Sequence, residues 1–271
     1  ITTITEADGL VRIPANVEGL VEGEETAAEL IRPREALENT LLIVGSHDNT
    51  LDILADEIRR GASGVTLSSS HVGSLGGLMA LKRGVCHLAG AHLLDTTDGS
   101  YNRSYVKKYL ADMEVCLVNL VLRDQGLLVP KGNPKGIRGL EDLGRDDIRF
   151  INRQGGSGTR ILLDYRLQQL GLKPEAIDGY RDEEYTHMAV AVAVLSGTAD
   201  LGLGIQAAAR ALDLDFIPVV TEQYDLVIPG RFLALKGLRV LLDAIGGERF
   251  QRRVRALGGY STELTGRWID L

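Results

Sequence analysis

Little in this 271-residue sequence could staple a fold covalently or cage a metal. It has two cysteines, Cys86 and Cys116, each in apolar strand-like text. They read as buried thiols, which excludes a disulfide framework. Five histidines are present, but no HxH, HExxH or CxxC spacing. Zinc sites ordinarily draw on such tight pairs, so no metal is expected. No apolar run is long enough to cross a membrane as a helix, which takes about 18 residues or more. Positive charge is in deficit, with 30 Lys and Arg against 37 Asp and Glu and a net charge of −7. With no basic stripe or recognition motif beside that balance, nucleic acid is not an expected partner. The densest basic stretch, Arg249, Arg252, Arg253 and Arg255, has helical spacing and reads as a solvated helix face. The opening ITTITEADGLVRIP has neither a charged n-region nor an apolar h-region. No secretion signal is read there, a cytoplasmic location is expected, and the chain is taken as a piece of a longer protein. GxSxG, GxxxxGKS/T and GxGxxG patterns are also missing, so neither a Ser–His–Asp triad nor a nucleotide fingerprint is assigned.

What is there is alternating strand and helix text, in a chain long enough for one large or two small α/β domains. Residues 1–34 stand apart as short β-type runs between Gly and Pro turns. They read as the end of a small β-barrel domain, with Arg32-Pro33-Arg34 as an extended linker. Beyond Thr40, strands are expected at Leu41–Gly45, Val65–Ser68, Val85–Ala89, Val115–Leu122, Gly126–Pro130, Ile148–Asn152, Leu201–Ile205, Phe216–Val220 and Tyr224–Ile228. The intervening text predicts helices over Leu51–Arg60, Leu75–Arg83, Ser104–Asp112, Gly158–Gln169, Thr186–Ser196, Gln206–Leu212, Gly237–Ile245 and Glu248–Leu257. Repeated βαβ units of this length imply a mostly parallel sheet.

Three strands run through a hydroxyl- or glycine-bearing turn straight into a helix: LLIVGSHDNT (41–50), VTLSSSHVGSL (65–75) and FINRQGGSGTR (150–160). A helix start leaves backbone N–H groups unpaired and carries partial positive charge, so such a turn can cradle an anion. Each could equally be an ordinary cap. The candidate ligand contacts are Ser46 and His47 in the first turn, and Ser69, Ser70 and His71 in the second. Ser157, Gly158, Thr159 and Arg160 follow in the third, with Tyr185 and Thr186 before a further helix. Asp48 would repel an anion if it pointed inward, so it is expected to cap the first helix or orient His47. His47, His71 and His92 follow three successive strands and could converge at one sheet edge.

The order of these pieces, with GLLVPKGNPKGIRGLEDL (126–143) and VAVLSGTADLGLGI (192–205), resembles the type II periplasmic-binding-protein fold, in particular its molybdate- and tungstate-binding members. GLVRIPANVEGLVEGEE, within the first 33 residues, resembles the last β-domain of MoeA-type molybdopterin molybdenumtransferases. The resemblance implies a two-lobed α/β binding domain over 37–271 after the short N-terminal β segment. Lobe one would hold about 37–120 and 221–271, lobe two about 121–220, with two crossover strands as the hinge. It implies a small oxyanion, molybdate or tungstate, held between the lobes without a cofactor. Upstream molybdenumtransferase domains would be partners, in a parent chain that catalyses molybdenum insertion, while this stretch binds and does not catalyse. A ligand-sensing regulatory domain, or a cofactor-assembly enzyme domain acting on a pterin, are the alternatives.

Overall fold

The computed structural model describes residues 7–21, 23–61 and 63–271. Residues 1–6 lie outside it, with the part of the expected β segment that falls on them. What is described of that segment is a pair of short antiparallel strands, β1 (Gly9–Val11) and β2 (Ala28–Leu30), and then a single-turn-and-a-half helix, α1 (Arg34–Glu38), started by Pro33. Leu10, Val11, Val21, Leu30 and Ile31 are exposed along it.

The rest forms one large sheet. Lobe one is built from β3 (Thr40–Gly45), α2 (Asn49–Arg60), β4 (Thr66–His71), α3 (Gly73–Arg83) and β5 (Leu88–Ala91). A short helix, α4 (Arg103–Tyr109), leads to the long strand β6 (Val115–Val129). Lobe two adds β7 (Phe150–Arg153), α5 (Gly158–Leu170), β8 (Glu183–Glu184), α6 (His187–Leu195), β9 (Leu201–Ile205) and α7 (Gln206–Ala211). A second long strand, β10 (Asp215–Pro229), returns to lobe one. There α8 (Lys236–Gly246), α9 (Glu248–Leu257) and the two-residue strands β11 (Tyr260–Ser261) and β12 (Trp268–Ile269) close the chain. The strand order is β4-β3-β5-β10-β6-β9-β7-β8. β3 pairs in parallel with β4 and β5, and β7 with β8 and β9, while the long strands β6 and β10 join the two halves and run antiparallel to each other and to their neighbours β9 and β5. This is the two-lobed α/β architecture expected.

The cores follow from the apolar periodicities. In lobe one Leu51, Leu54 and Ile58 of α2 pack with Leu238, Leu241 and Ile245 of α8 and Phe250 and Val254 of α9 against β3, β6 and β10. The basic stretch on α9 is not purely a solvated face, because Arg249 and Arg253 reach Glu57 and Asp56 of α2. In lobe two Leu162, Leu163 and Leu167 of α5 pack with Phe150, Leu127, Val129 and Leu203. Helix ends match the breakers in the text: Gly84 and Gly171 close α3 and α5 with left-handed φ of 73° and 68°.

Four further expectations needed correction. Val115–Leu122 and Gly126–Pro130 are one strand, β6, and Phe216–Val220 and Tyr224–Ile228 are one strand, β10, with register shifts at Pro218/Val220 and Tyr224/Asp225. The second expected strand runs on to His71, so Ser69, Ser70 and His71 stand on β4, at the sheet edge, and not in a loop. Cys86 is buried, but Cys116 is only partly covered.

Gly45 ends β3 with φ 153°, and a Cβ built there would sit 2.3 Å from the Gly90 carbonyl oxygen. The Ser46 N–H donates to that same oxygen at 2.9 Å. Gly45→Ala is therefore expected to destabilise the protein by about 2 kcal/mol or more, by prising β3 from β5 at the serine turn. Urea denaturation checks this, and an unchanged midpoint would mean that the two strands separate freely.

Candidate functional site between the lobes

Strand ends from both lobes and the midpoints of the two hinge strands deliver polar side chains to one buried place. The end of β3 carries Ser46, His47 and Asp48; the residue after β5 is His92; β7 ends in Arg153. Arg123 and Gln125 come from the middle of β6 and Glu222 from β10. Arg123 and Glu222 are direct cross-strand partners. Ser157–Thr159 and Thr186–His187 arrive with the first turns of α5 and α6. The lips of the lobes touch: a Cβ on Gly73, at the start of α3, would lie 3.4 Å from the Gly156 carbonyl.

Asp48 is the N-cap of α2, accepting from the Thr50 N–H at 2.8 Å. The same carboxylate also binds the Arg123 guanidinium and accepts from the Tyr260 hydroxyl at 2.9 Å. Glu222 holds the other side of Arg123 through Nε. Asp48, Arg123 and Glu222 are all essentially inaccessible to water. Burial works against the charge on Arg123, but the flanking Glu222 and Asp48 outweigh it and push its pKa up. Burial likewise raises Glu222, yet Arg123 and His92 pull it down to about 2.

The second oxygen of Glu222 lies 2.9 Å from His92 Nδ1, and His92 Nε2 lies 2.8 Å from Ser46 Oγ. Burial lowers the pKa of His92, with Glu222 opposing. Facing an ionised Glu222, the neutral ring carries its proton on Nδ1 and accepts from the serine hydroxyl on Nε2. Ser46, His92 and Glu222 thus stand in the order of a nucleophile relay, which the absence of GxSxG had argued against. Gly158 admits this ring, because a Cβ there would lie 2.5 Å from it.

Arg153 is different. Its Nε and Nη2 donate to the backbone carbonyls of Glu184, at 3.2 Å, and Tyr185, at 3.0 Å. Among the described residues no carboxylate forms an ion pair with it, and Nη1 has no partner at all. Burial first, and the Arg123 charge second, push its pKa down to about 10. His187 is buried with both ring nitrogens unpartnered, and burial together with Arg153 and Arg123 drives its pKa well below the ordinary value. Arg123 Nη2 and Gln125 Oε1 are unpartnered as well. Buried polar groups are normally bonded. Guanidinium and imidazole N–H groups left open in the same buried place form a donor set suited to an anion.

The predicted residues distribute unevenly over this site. Ser46, Ser157, Gly158 and Thr159 are buried and gathered around His92 and Gln125. Ser157 caps α5, accepting from the Arg160 N–H at 3.2 Å, and Thr159 Oγ1 accepts from Gln125 Nε2 at 3.1 Å. His47 stands beside them, its ring edge-on to His71 at 4.4 Å. Ser69, Ser70 and His71 lie on the edge strand β4. Thr186 caps α6, and the Tyr185 side chain is 69% exposed while its carbonyl holds Arg153. Arg160 turns outward to Asp164 and Glu183 with its guanidinium 4.1 Å over the Tyr180 ring. Arg123, Gln125, Arg153, His187 and Glu222 were missed. Arg123, Gln125 and Glu222 fall in the gaps between expected strands, Arg153 directly follows one, and His187 lies inside an expected helix. Among the described residues no group of three His, Cys, Asp or Glu side chains is arranged to hold a metal.

A family profile described as PBP superfamily domain matches residues 55–246. A Bacillus subtilis (strain 168) protein described as uncharacterized, YvgK, is 41% identical over 228 residues, 84% of this chain and 73% of its own length. Among solved structures, the tungstate ABC transporter protein of Geobacter sulfurreducens aligns with a TM-score of 0.58 at 17% identity, over 81% of this chain and 99% of that one. An ABC-type phosphate transport receptor from Vibrio cholerae aligns with a TM-score of 0.54 at 16% identity, over 81% and 98%. At such identities the likeness is one of fold.

Proposed function

The chain belongs to the PBP superfamily, and we propose from that premise that it binds a small tetrahedral oxyanion, molybdate or tungstate, between its lobes. The observation that carries this reading is Arg153, a buried guanidinium with an unpartnered nitrogen and no bonded carboxylate. A buried cation is costly unless an opposite charge meets it, and an anion from solution would supply that charge. Arg123 Nη2 and the His187 ring offer further donors, and the Ser46, Ser157 and Thr159 hydroxyls stand close behind. Two arginines against Asp48 and Glu222 leave the site formally neutral, so the anion is held by oriented N–H and O–H groups more than by net charge. In this reading the protein serves molybdenum-cofactor assembly in the cytoplasm beside molybdenumtransferase domains. The sequence likeness of residues 9–25 to such a domain, and the exposed apolar side chains of the β1/β2 pair, support that context.

Titration with molybdate, tungstate, sulfate and phosphate tests it. Ligand at a hundred times its dissociation constant should stabilise the fold by about 2.7 kcal/mol, read as a raised melting temperature. No heat and no thermal shift with any of the four at millimolar concentration would reject the anion reading. The relay order of Ser46, His92 and Glu222 favours one other reading, a serine nucleophile. Treatment with a serine-reactive fluorophosphonate is expected to leave the Ser46 peptide unmodified, and a stoichiometric adduct there would put catalysis first.

A further inference from the structure

We infer that an anion seated against Ser46 brings one additional proton into the buried Ser46–His92–Glu222 line, so that binding is coupled to proton uptake. This rests on the oxyanion reading. It follows from counting hydrogen atoms against hydrogen bonds.

In the unliganded protein the line has two links, Glu222 to His92 at 2.9 Å and His92 to Ser46 at 2.8 Å. Two protons fill them: the Nδ1–H donates to the carboxylate, and the serine O–H donates to Nε2. Both links are closed, and Ser46 Oγ has only lone pairs left to show the cleft. A fully deprotonated anion has only lone pairs too. Placing it at Ser46 makes a third link, with an acceptor at each end of the line, and three links between two acceptors require three protons. If Ser46 turns its hydroxyl to the anion, Nε2 must be protonated to replace that bond. The ring is then an imidazolium, or its Nδ1 proton has passed to Glu222. If Ser46 keeps donating to His92, the proton must be on the ligand. Wherever it resides, the bound state holds one proton more than the free protein plus dianion.

The surroundings decide which neighbours could mask this. Around His92 stand Glu222 from β10, Arg123 from β6, Arg153 from β7, His187 from α6 and His47 from the β3 turn, with the Tyr224 ring stacked at 5.9 Å. The two arginines oppose an imidazolium, and the anion's charge offsets them. His187 is the competing acceptor, since both its nitrogens are open.

The experiment is calorimetry with sodium molybdate and sodium sulfate at pH 8 in buffers of different ionisation enthalpy, repeated from pH 6 to 9. Both anions are deprotonated throughout, so any proton comes from the buffer. The expected result is uptake of about one proton per anion at pH 8, with affinity falling about tenfold per pH unit there. Glu222→Gln should abolish the linkage. The amide donates to Nδ1, Nε2–H donates to Ser46, and the hydroxyl is then free for the anion with no proton added. Since Glu222→Gln also loses an ion pair with Arg123, Ser46→Ala serves as a second variant. It cuts the line at its end, and any remaining binding should be independent of pH. Wild-type binding without proton uptake, or uptake that persists in both variants, would overturn the inference while leaving the oxyanion reading intact. No binding of molybdate, tungstate, sulfate or phosphate even at pH 6 would instead defeat the oxyanion reading itself.

Discussion

Replacing Arg153 with methionine is expected to weaken oxyanion binding by about 100-fold or more while leaving the empty protein at least as stable as before. The opposite signs come from one fact. In the empty protein Arg153 is a desolvated cation held by carbonyls alone, its pKa driven down to about 10 by burial and by Arg123. Removing an unpaired buried charge in favour of an apolar side chain of similar volume is often neutral or stabilising. In the liganded protein the same guanidinium would be half of a buried charge pair, and losing one partner of such a pair costs about 2–5 kcal/mol. Each 1.4 kcal/mol is about a factor of ten in affinity. Paired melting curves with and without 1 mM molybdate suffice as the measurement. A variant that melts far lower than the parent without ligand would show that Arg153 is a structural cation and that its open nitrogen needs no anion.

Arg123 should behave in the reverse way. Arg123→Met strands two buried carboxylates, Asp48 and Glu222, and is expected to destabilise the fold by about 3–5 kcal/mol, as breaking buried ion pairs does. Acid titration supplies the signature. Glu222 has a folded pKa near 2 against an ordinary 4.5, so its pairing stabilises the protein above the ordinary value. That contribution is lost as pH falls from about 5 toward 2. In Arg123→Met the depression is relieved, because the first cause of it is gone. Stability should then change less over that range, and in the direction of a carboxyl that folds more easily when protonated. Denaturation midpoints at pH 3 and pH 7 for both proteins check it. Parallel curves would mean that Glu222 is held down by some group other than Arg123.

The fold was largely legible because its signals are local. Apolar spacing gave α2, α8 and α9, left-handed glycines closed α3 and α5, and Asp48 was marked as a cap by its own charge. The hinge was where local reading failed. RDQG (123–126) and TEQ (221–223) are polar runs inside apolar text, and alternation rules assign such runs to solvent-facing turns. Here they are the centres of two 15-residue strands, where Arg123 meets Glu222 and Asp124 meets Thr221, about a hundred residues along the chain. Pairing at that separation has no signature in a single sequence. The same gap hid the site's charges. Three hydroxyl turns were visible as candidate donors, and Ser157 and Ser46 do lie in the cleft. The arginines that give the place its character looked like turn residues, while Arg160, which looked like the charge donor, spends itself on Asp164 and Glu183.

The central position of Arg123 and Glu222 has a mechanical side. A rotation of one lobe against the other displaces each atom in proportion to its distance from the axis, and both residues sit mid-strand on the β6/β10 pair that defines that axis. They have almost no lever arm. Ser46 and Arg153, on strand ends of opposite lobes, have long ones. The buried Arg123–Glu222 pair therefore stays whole through such a swing, and the separation falls on the packing of Gly158 against His92 and on the touch between Gly73 and Gly156. A fold arranged this way meets little resistance at its gate while its pivot stays stiff.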